Sequence, residues 1–166
     1  MFSVGDVVIY TTYGICKISA LNKIKMGKFE NTYYVLKPLN EDTTEISLPV
    51  NNPMTAMRLQ PLLSEDEIKD LINQIPFLEP YWIEKDNDRK TEFSEIVKSG
   101  DRKETLRLLK SIRVHIVDIK NKGRKLHATD ETVMKDAEKL LLDEFSYVLK
   151  MDKPSLQIIL NDQLEK

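Results

Sequence analysis

The hydrophobic pattern of this chain changes its period once, near Ser64, and that change limits the fold more than any other feature. Before Ser64, short runs of β-branched and aromatic residues are separated by turn-forming Gly, Asn and Pro, as in β-strands. After Ser64, apolar residues recur every three or four positions, as on one face of a helix. The sequence therefore predicts an α+β protein of two domains, a β domain over residues 1–60 and an all-α domain of about five helices over residues 61–166.

Four or five short strands are predicted in the β domain. The clearest strand signals lie at residues 7–10, 15–21, 32–36 and 44–48, with a turn at residues 40–42. Strands at this spacing suggest a small, strongly bent sheet or barrel. Such a module leaves an edge strand partly free unless the second domain covers it, and a free edge can pair with another chain.

Capping residues mark the helix starts in the second domain. Ser64 and Glu67 form a capping box, Asp101 precedes the clearest amphipathic helix, and Asp152 precedes a proline in a first turn. The predicted helices are 64–74, 81–98, 102–121, 130–150 with Thr129 or Asp130 as its cap, and a last one ending at residue 164.

Several functional classes are not supported by the sequence. The chain has 41% apolar and 31% charged residues, as a folded globular protein does, and no run approaches the roughly 20 apolar residues of a membrane helix. The N-terminus lacks the pattern of a signal peptide, so we expect a cytoplasmic protein. Cys16 is the only cysteine, and His115 and His127 lack the spacing of metal ligands. We therefore expect no metal, no cofactor and no catalysis.

Charge is unevenly distributed along the chain although the net charge is only −2. Residues 85–125 carry 13 Lys and Arg against 7 Asp and Glu, whereas residues 126–166 carry 5 against 9. The only tryptophan, Trp82, lies just before the basic segment. A tryptophan beside cations is either a core anchor or an exposed wedge for a partner with flat π-faces, such as DNA. The basic segment is either solvated helix surface or a phosphate-contacting face.

A set of motifs spans nearly the whole chain. They are F-S-V-G-D-V-V-I-Y at 2–10 with Y-G at 13–14, Y-Y-V-L at 33–36, L-P-V at 48–50, R-L-Q-P-L-L-S at 58–64, Trp82, K-S-G-D at 98–101 and A-E-K-L-L at 137–141. In these motifs the chain resembles the CarD/CdnL family of bacterial transcription regulators. The opening motif is also similar to the RNA-polymerase-interacting domain of transcription-repair coupling factors.

The resemblance implies a Tudor-like N-terminal domain that binds the RNA polymerase β subunit by strand addition. It also implies a helical domain that contacts promoter DNA at the upstream edge of the transcription bubble, where Trp82 enters the minor groove and stabilises the open complex. The polymerase contacts implied are Ile24, Lys25, Thr44, Glu45, Ile46 and Ser47. The DNA contacts considered are Trp82, Lys85, Arg89, Lys90, Lys103, Arg107, Lys110, Arg124 and Lys125.

A second hypothesis is a protein-interaction adaptor that binds RNA polymerase or another protein and has no DNA role. The two hypotheses differ in salt dependence, because phosphate contacts weaken steeply as salt rises. As a transcription regulator the protein would lie in the bacterial cytoplasm, associated with the nucleoid through RNA polymerase. We expect a monomer, with a strand-exchanged dimer through the free edge as the alternative.

Overall fold

The computed structural model describes residues 1–41 and 43–166, which divide into two compact units, Met1–Leu62 and Leu63–Lys166. The first unit contains an antiparallel five-stranded sheet, and the second contains helices, which confirms the predicted α+β class. The turn predicted at residues 40–42 includes Asp42, which lies outside the described residues.

The sheet of the first unit has the strand order β4-β3-β2-β1-β5, and all neighbouring strands are antiparallel. Its apolar core includes Val8, Ile18 and Leu36, which are fully buried. A register shift in the β2–β3 ladder between Ile18 and Ala20 marks an irregularity of the kind that bends a sheet. The strands are β1 Val7–Tyr10, β2 Gly14–Met26, β3 Phe29–Pro38, β4 Ile46–Pro49 and β5 Leu59–Pro61.

The chain between β4 and β5 differs from the sequence prediction. The short helix α1, Pro53–Arg58, lies in this connection and was not predicted. The Asn52 side chain caps this helix by accepting from the Met54 N–H at 2.8 Å, and Pro53 occupies the first turn, where its missing N–H is not needed. Strand β5 was not predicted, because three residues that pair with the distant β1 carry too little local signal.

Strands β2 and β3 continue well past the rest of the sheet as a two-stranded hairpin. Its outer part, residues 22–31, is exposed throughout and is called the arm below. Gly27 lies in the connecting turn with a φ of 64°, a left-handed conformation that glycine adopts without steric cost. The arm therefore offers both faces and both edges of a short ribbon to solvent within the first unit.

The second unit is built from five α-helices around one apolar core. The core is centred on Ile68, Phe93, Leu109, Ile112 and Phe145, which are almost completely buried. The helices are α2 Glu65–Gln74, α3 Asp86–Ser99, α4 Arg102–Asn121, α5 Ala128–Leu149 and α6 Lys153–Leu164, with a 3₁₀ turn at Ile75–Phe77.

The capping predictions are confirmed at three of these helices. Ser64 and Glu67 form the reciprocal capping box of α2, and Asp101 accepts from the Glu104 N–H at 3.0 Å at the start of α4. Asp152 accepts from the Ser155 N–H at 3.0 Å at the start of α6. These caps are local, so the sequence pattern alone identifies them.

Two helix starts were predicted wrongly. The helix expected from residue 81 begins at Asp86, so Trp82 lies on an extended segment before α3 and not on the helix. Helix α5 begins at Ala128 with His127 at the cap position and no side-chain cap bond. Asp130, one of the two predicted caps, is instead buried and paired with Arg89.

Among the residues that the structure describes, no helix has the length and apolar character needed to cross a membrane. In the same part of the chain, no three His, Cys, Asp or Glu side chains come together in a way that could hold a metal ion.

Candidate functional site

Strand β4 forms one edge of the sheet, and the direction of its backbone groups follows from one hydrogen bond. The Val50 N–H donates to the Thr32 carbonyl at 2.9 Å, which fixes the phase of the β3–β4 ladder. Bonded residues alternate along an antiparallel strand, so Ile46 and Leu48 bond to β3. Ser47 consequently directs its N–H and C=O away from β3, toward the outer edge of the sheet.

The predicted polymerase contacts on and before β4 have different environments. Glu45 and Ser47 are exposed, and Glu45 lies 3.4 Å from the Lys37 ammonium in a surface ion pair. Thr44 is partly buried. The Ile46 side chain is partly buried and packs against the sheet core.

The other two predicted polymerase contacts lie on the arm. Ile24 is opposite Asn31 in the β2–β3 ladder, two residues beyond the last β3–β4 pair, so Ile24 and Lys25 do not adjoin β4. Ile24 shares one face of the ribbon with Met26 and Phe29, because directly opposed and alternate residues lie on the same side. That face is exposed and apolar, and Lys25 lies on the opposite face.

In the second unit, side chains from α4 fix the extended segment that carries Trp82. The Ser111 hydroxyl accepts from the Tyr81 N–H at 3.0 Å, and Arg107 Nε donates to the Glu79 carbonyl at 2.8 Å. Lys110 Nζ donates to the carbonyls just upstream, at Ile75 and Pro76, at 3.0 and 2.7 Å. The backbone of this segment is therefore satisfied by side chains instead of by helical hydrogen bonds.

The Trp82 indole is partly buried and is contacted by three side chains. His115 is stacked on it, with ring centroids 3.6 Å apart and planes 9° from parallel. The Arg89 guanidinium carbon lies over the ring, 4.5 Å from its centroid, and Phe93 meets it in a T-shaped contact at 5.8 Å. A stacked imidazole leaves no room for a guanidinium on the same face, so His115 and Arg89 cover opposite faces. The exposed part of the indole is therefore its free edge.

Arg89 was predicted to contact phosphate, and the structure contradicts this. The residue is only 2% exposed, and its guanidinium is bidentate to Asp130, with distances of 2.9 and 2.8 Å. The same group also donates to Asp86 at 2.9 Å and to the Ile83 carbonyl at 2.8 Å, with a longer contact of 3.5 Å to the Glu84 carbonyl. All five N–H donors are directed at protein acceptors, so none is left for a phosphate.

Lys110 was predicted, with Lys103 and Arg107, to contact DNA, and its burial contradicts this. Lys110 is 7% exposed and caps the chain at Ile75 and Pro76 through the bonds described above. Arg107 is half-buried over the Tyr81 ring, at 4.5 Å, so only Lys103 of the three is fully available to solvent.

The remaining predicted cations are exposed, and one of them lies near Trp82. A groove of about 390 Å³ is lined by Trp82, His115, Lys122 and Arg124, with Glu84 and Asp118 also on its walls. Asp118 pairs with Lys122 at 3.2 Å. The exposed predicted cations are Lys85, Lys90, Lys103, Arg124 and Lys125.

Burial around Trp82 changes the titration of two neighbouring side chains. Burial, together with the nearby Arg89 charge, lowers the pKa of His115 below its usual value, so the neutral imidazole is the form that stacks on the indole. Burial, with Glu92 close to the hydroxyl, raises the pKa of Tyr81 to about 12, so the phenol stays protonated.

Sequence reasoning missed His115 and Asp130 as members of the Trp82 site. Asp130 lies 41 residues from Arg89 in the chain, and His115 lies on a helix whose pattern indicates only an amphipathic surface. No local pattern connects these residues to Trp82. A buried carboxylate requires a partner, but its identity depends on the packing of α5 against α3.

Comparison with known families concerns the first unit. Residues 2–61 match the model of the CarD-like/TRCF RID domain family. The N-terminal unit is a CarD-like RNA-polymerase-interacting domain. The match confirms the resemblance drawn from the opening motifs, and RNA polymerase is the partner that this domain indicates. The family is defined by a binding interaction and not by a reaction. No curated protein matches the chain.

Proposed function

We propose that this protein is a transcription regulator that bridges RNA polymerase and promoter DNA. Its Tudor-like N-terminal sheet binds the β subunit by strand addition. Its helical unit contacts DNA at the upstream edge of the bubble and stabilises the open complex, in the bacterial cytoplasm and at the nucleoid. The observation that carries the polymerase part of the proposal is the CarD-like domain match over residues 2–61.

The β4 edge supports strand addition as the way in which the sheet binds. Ser47 presents an outward N–H and C=O on an exposed position, and Pro49, the next outward residue, has no N–H to leave unsatisfied. A short edge of this kind suits pairing with one strand of a partner, where main-chain hydrogen bonds supply the affinity.

Ser47→Pro tests this directly. The substitution removes the outward N–H but no bond to β3, so the sheet should stay folded while binding to RNA polymerase falls by about tenfold or more, equivalent to one or more lost hydrogen bonds. Ser47→Ala keeps the backbone donor and should bind as the wild type does. Binding would be measured by titrating labelled protein with polymerase core enzyme. Unchanged binding by a folded Ser47→Pro protein would exclude β4 pairing.

The DNA part of the proposal rests on Trp82 and the cations around it. The indole presents an edge to solvent from a fixed position, and Arg124 lies in the same groove. An aromatic or apolar wedge inserted between base steps, with phosphate contacts beside it, is a recurrent way of binding deformed DNA in the minor groove without reading sequence.

The test is the dissociation lifetime of polymerase open complexes on one promoter. Wild-type protein should lengthen the lifetime, and Trp82→Ala should not, although both bind polymerase equally. Phe77→Ala is the matched control, since Phe77 is 85% exposed in the same unit and outside the groove, and it should behave as the wild type does. Equal lifetimes with wild type and Trp82→Ala would remove the DNA role.

One observation favours the alternative, a polymerase-bound adaptor without a DNA role. Two of the cations expected to contact phosphate, Arg89 and Lys110, are buried and engaged within the protein. Under this alternative, the affinity for polymerase would be the same with and without promoter DNA, and it would show no extra salt dependence when DNA is present.

A further inference from the structure

We propose that Arg89, Asp130 and His115 are positioning residues that hold the Trp82 indole with its edge outward for insertion into DNA. The inference rests on the proposed function, since it assigns a role to residues behind the same tryptophan. In place of the predicted phosphate contact, Arg89 has an indirect role, in which it holds Trp82 and does not itself contact DNA.

The argument begins with the buried ion pair. Asp130 and Arg89 are both about 2% exposed, and they are joined by two parallel hydrogen bonds of 2.9 and 2.8 Å. A bidentate pair fixes the plane of the guanidinium as well as its position. Buried pairs of this kind seldom add much stability compared with apolar residues of similar size, so a role in orientation accounts for their geometry better than one in stability.

The fixed guanidinium then acts on Trp82 in two ways. It lies over one face of the indole, 4.5 Å from the ring centroid, and it also binds the Ile83 carbonyl at 2.8 Å. The side chain and the adjacent backbone of Trp82 are thus held by the same group. On the opposite face of the indole, the His115 ring is stacked with its centroid 3.6 Å from that of Trp82. His115 belongs to α4, which is anchored in the core.

This arrangement lowers the cost of insertion into DNA. A free tryptophan side chain on an extended segment would lose rotational freedom when it enters the groove, whereas this indole is ordered beforehand. The neutral state of His115 also suits a stack on the indole, because the nearby Arg89 charge opposes a second cation there.

The test uses Trp82 as its own probe, because it is the only tryptophan in the chain. The paired variant Arg89→Met with Asp130→Leu removes both buried charges together, and His115→Ala removes the stack. Each should bind polymerase normally and melt cooperatively, yet show faster local depolarisation of Trp82 fluorescence. Each should also shorten the open-complex lifetime at least about threefold relative to the wild type. His115→Phe restores a stacked ring and should restore both readouts.

The outcomes separate this inference from the proposed function. If the depolarisation increases but the lifetime equals that of the wild type, the positioning role is wrong. If Trp82→Ala itself has no effect on lifetime, the proposed DNA role fails, and the inference fails with it. Should the paired variant not fold, Arg89→Lys keeps the charge beside Asp130 but loses the planar group over the indole. It carries the same expectation for both readouts, and a result like the wild type in a folded Arg89→Lys protein would overturn the inference.

Discussion

Replacing Lys110 with methionine should destabilise the helical unit, because this lysine caps carbonyl groups of the 3₁₀ turn Ile75–Phe77 inside the protein. Its ammonium donates to the Ile75 and Pro76 carbonyls at 3.0 and 2.7 Å. The Ile75 carbonyl also accepts from the Leu78 N–H at 3.1 Å and would keep one partner. The Pro76 carbonyl would lose the bond described here.

The magnitude follows from these two acceptors. Loss of a charged hydrogen bond at a partly buried carbonyl costs about 1–3 kcal/mol, and the second bond at Ile75 is worth about 1 kcal/mol or less. Methionine keeps most of the apolar stem packing, and burial of an ammonium is no longer required, which offsets part of the loss. We expect a net loss of about 2 kcal/mol in the free energy of unfolding, or about 8–16 °C in the melting temperature of a unit of this size.

The measurement is urea and thermal unfolding followed by Trp82 fluorescence, which reports on the helical unit alone. Lys103→Met is the matched control, because Lys103 is exposed on the same helix and its loss should change stability by less than about 0.5 kcal/mol. A Lys110→Met protein as stable as the control would refute the capping role and return Lys110 to the candidate phosphate contacts.

Three further predictions concern the same unit. Asp130→Asn alone should cost about 3 kcal/mol or more in unfolding free energy, because Arg89 loses its buried charged partner and keeps only the exposed Asp86 carboxylate. Replacing both Arg89 and Asp130 with apolar residues should be nearly neutral, and denaturant titration of the single and paired variants tests this. Burial and the Arg89 charge lower the pKa of His115 in the folded state, whereas in the unfolded chain His115 accepts a proton near pH 6.5. The contribution of His115 to stability is therefore full above that pH and is lost as the pH falls below it. Between about pH 7.5 and 5.5 the melting temperature of His115→Gln should fall less than that of the wild type, and an equal fall would count against the assignment. Ser64→Ala should cost about 1 kcal/mol through loss of the α2 cap, while Ser64→Asp should restore most of it in the same melts.

Features that depend on residues close together in the chain can be predicted from the sequence. Features that depend on contacts with residues far away in the chain cannot. The caps at Ser64, Asp101 and Asp152 are local, and all three were predicted correctly. The segment around Trp82 was predicted as helix, but Ser111 and Arg107 satisfy its backbone from another helix, so the helical hydrogen bonds are not required.

The same reasoning explains the errors in the candidate site. Lysine and arginine near a tryptophan in sequence are expected on the surface, because burial of a charge is costly without a partner. The partner of Arg89 is Asp130 on α5, which lies 41 residues further along the chain. The partners of Lys110 are carbonyl groups of the 3₁₀ turn. Neither partner can be identified from spacing, whereas Trp82 itself was correctly placed beside a cation.

In the proposed function, burial of Arg89 and Lys110 lowers the affinity of the helical unit for DNA. Five of the eight cations predicted to contact DNA are exposed, and residues 126–166 of the same unit carry an excess of acidic groups. Fewer phosphate contacts mean a low intrinsic affinity for DNA at physiological salt. Attachment of the N-terminal domain to polymerase would raise the local concentration of the helical unit near the upstream fork, where a weak contact suffices. A tryptophan held in advance is most useful in that setting, because little binding energy is available to order it.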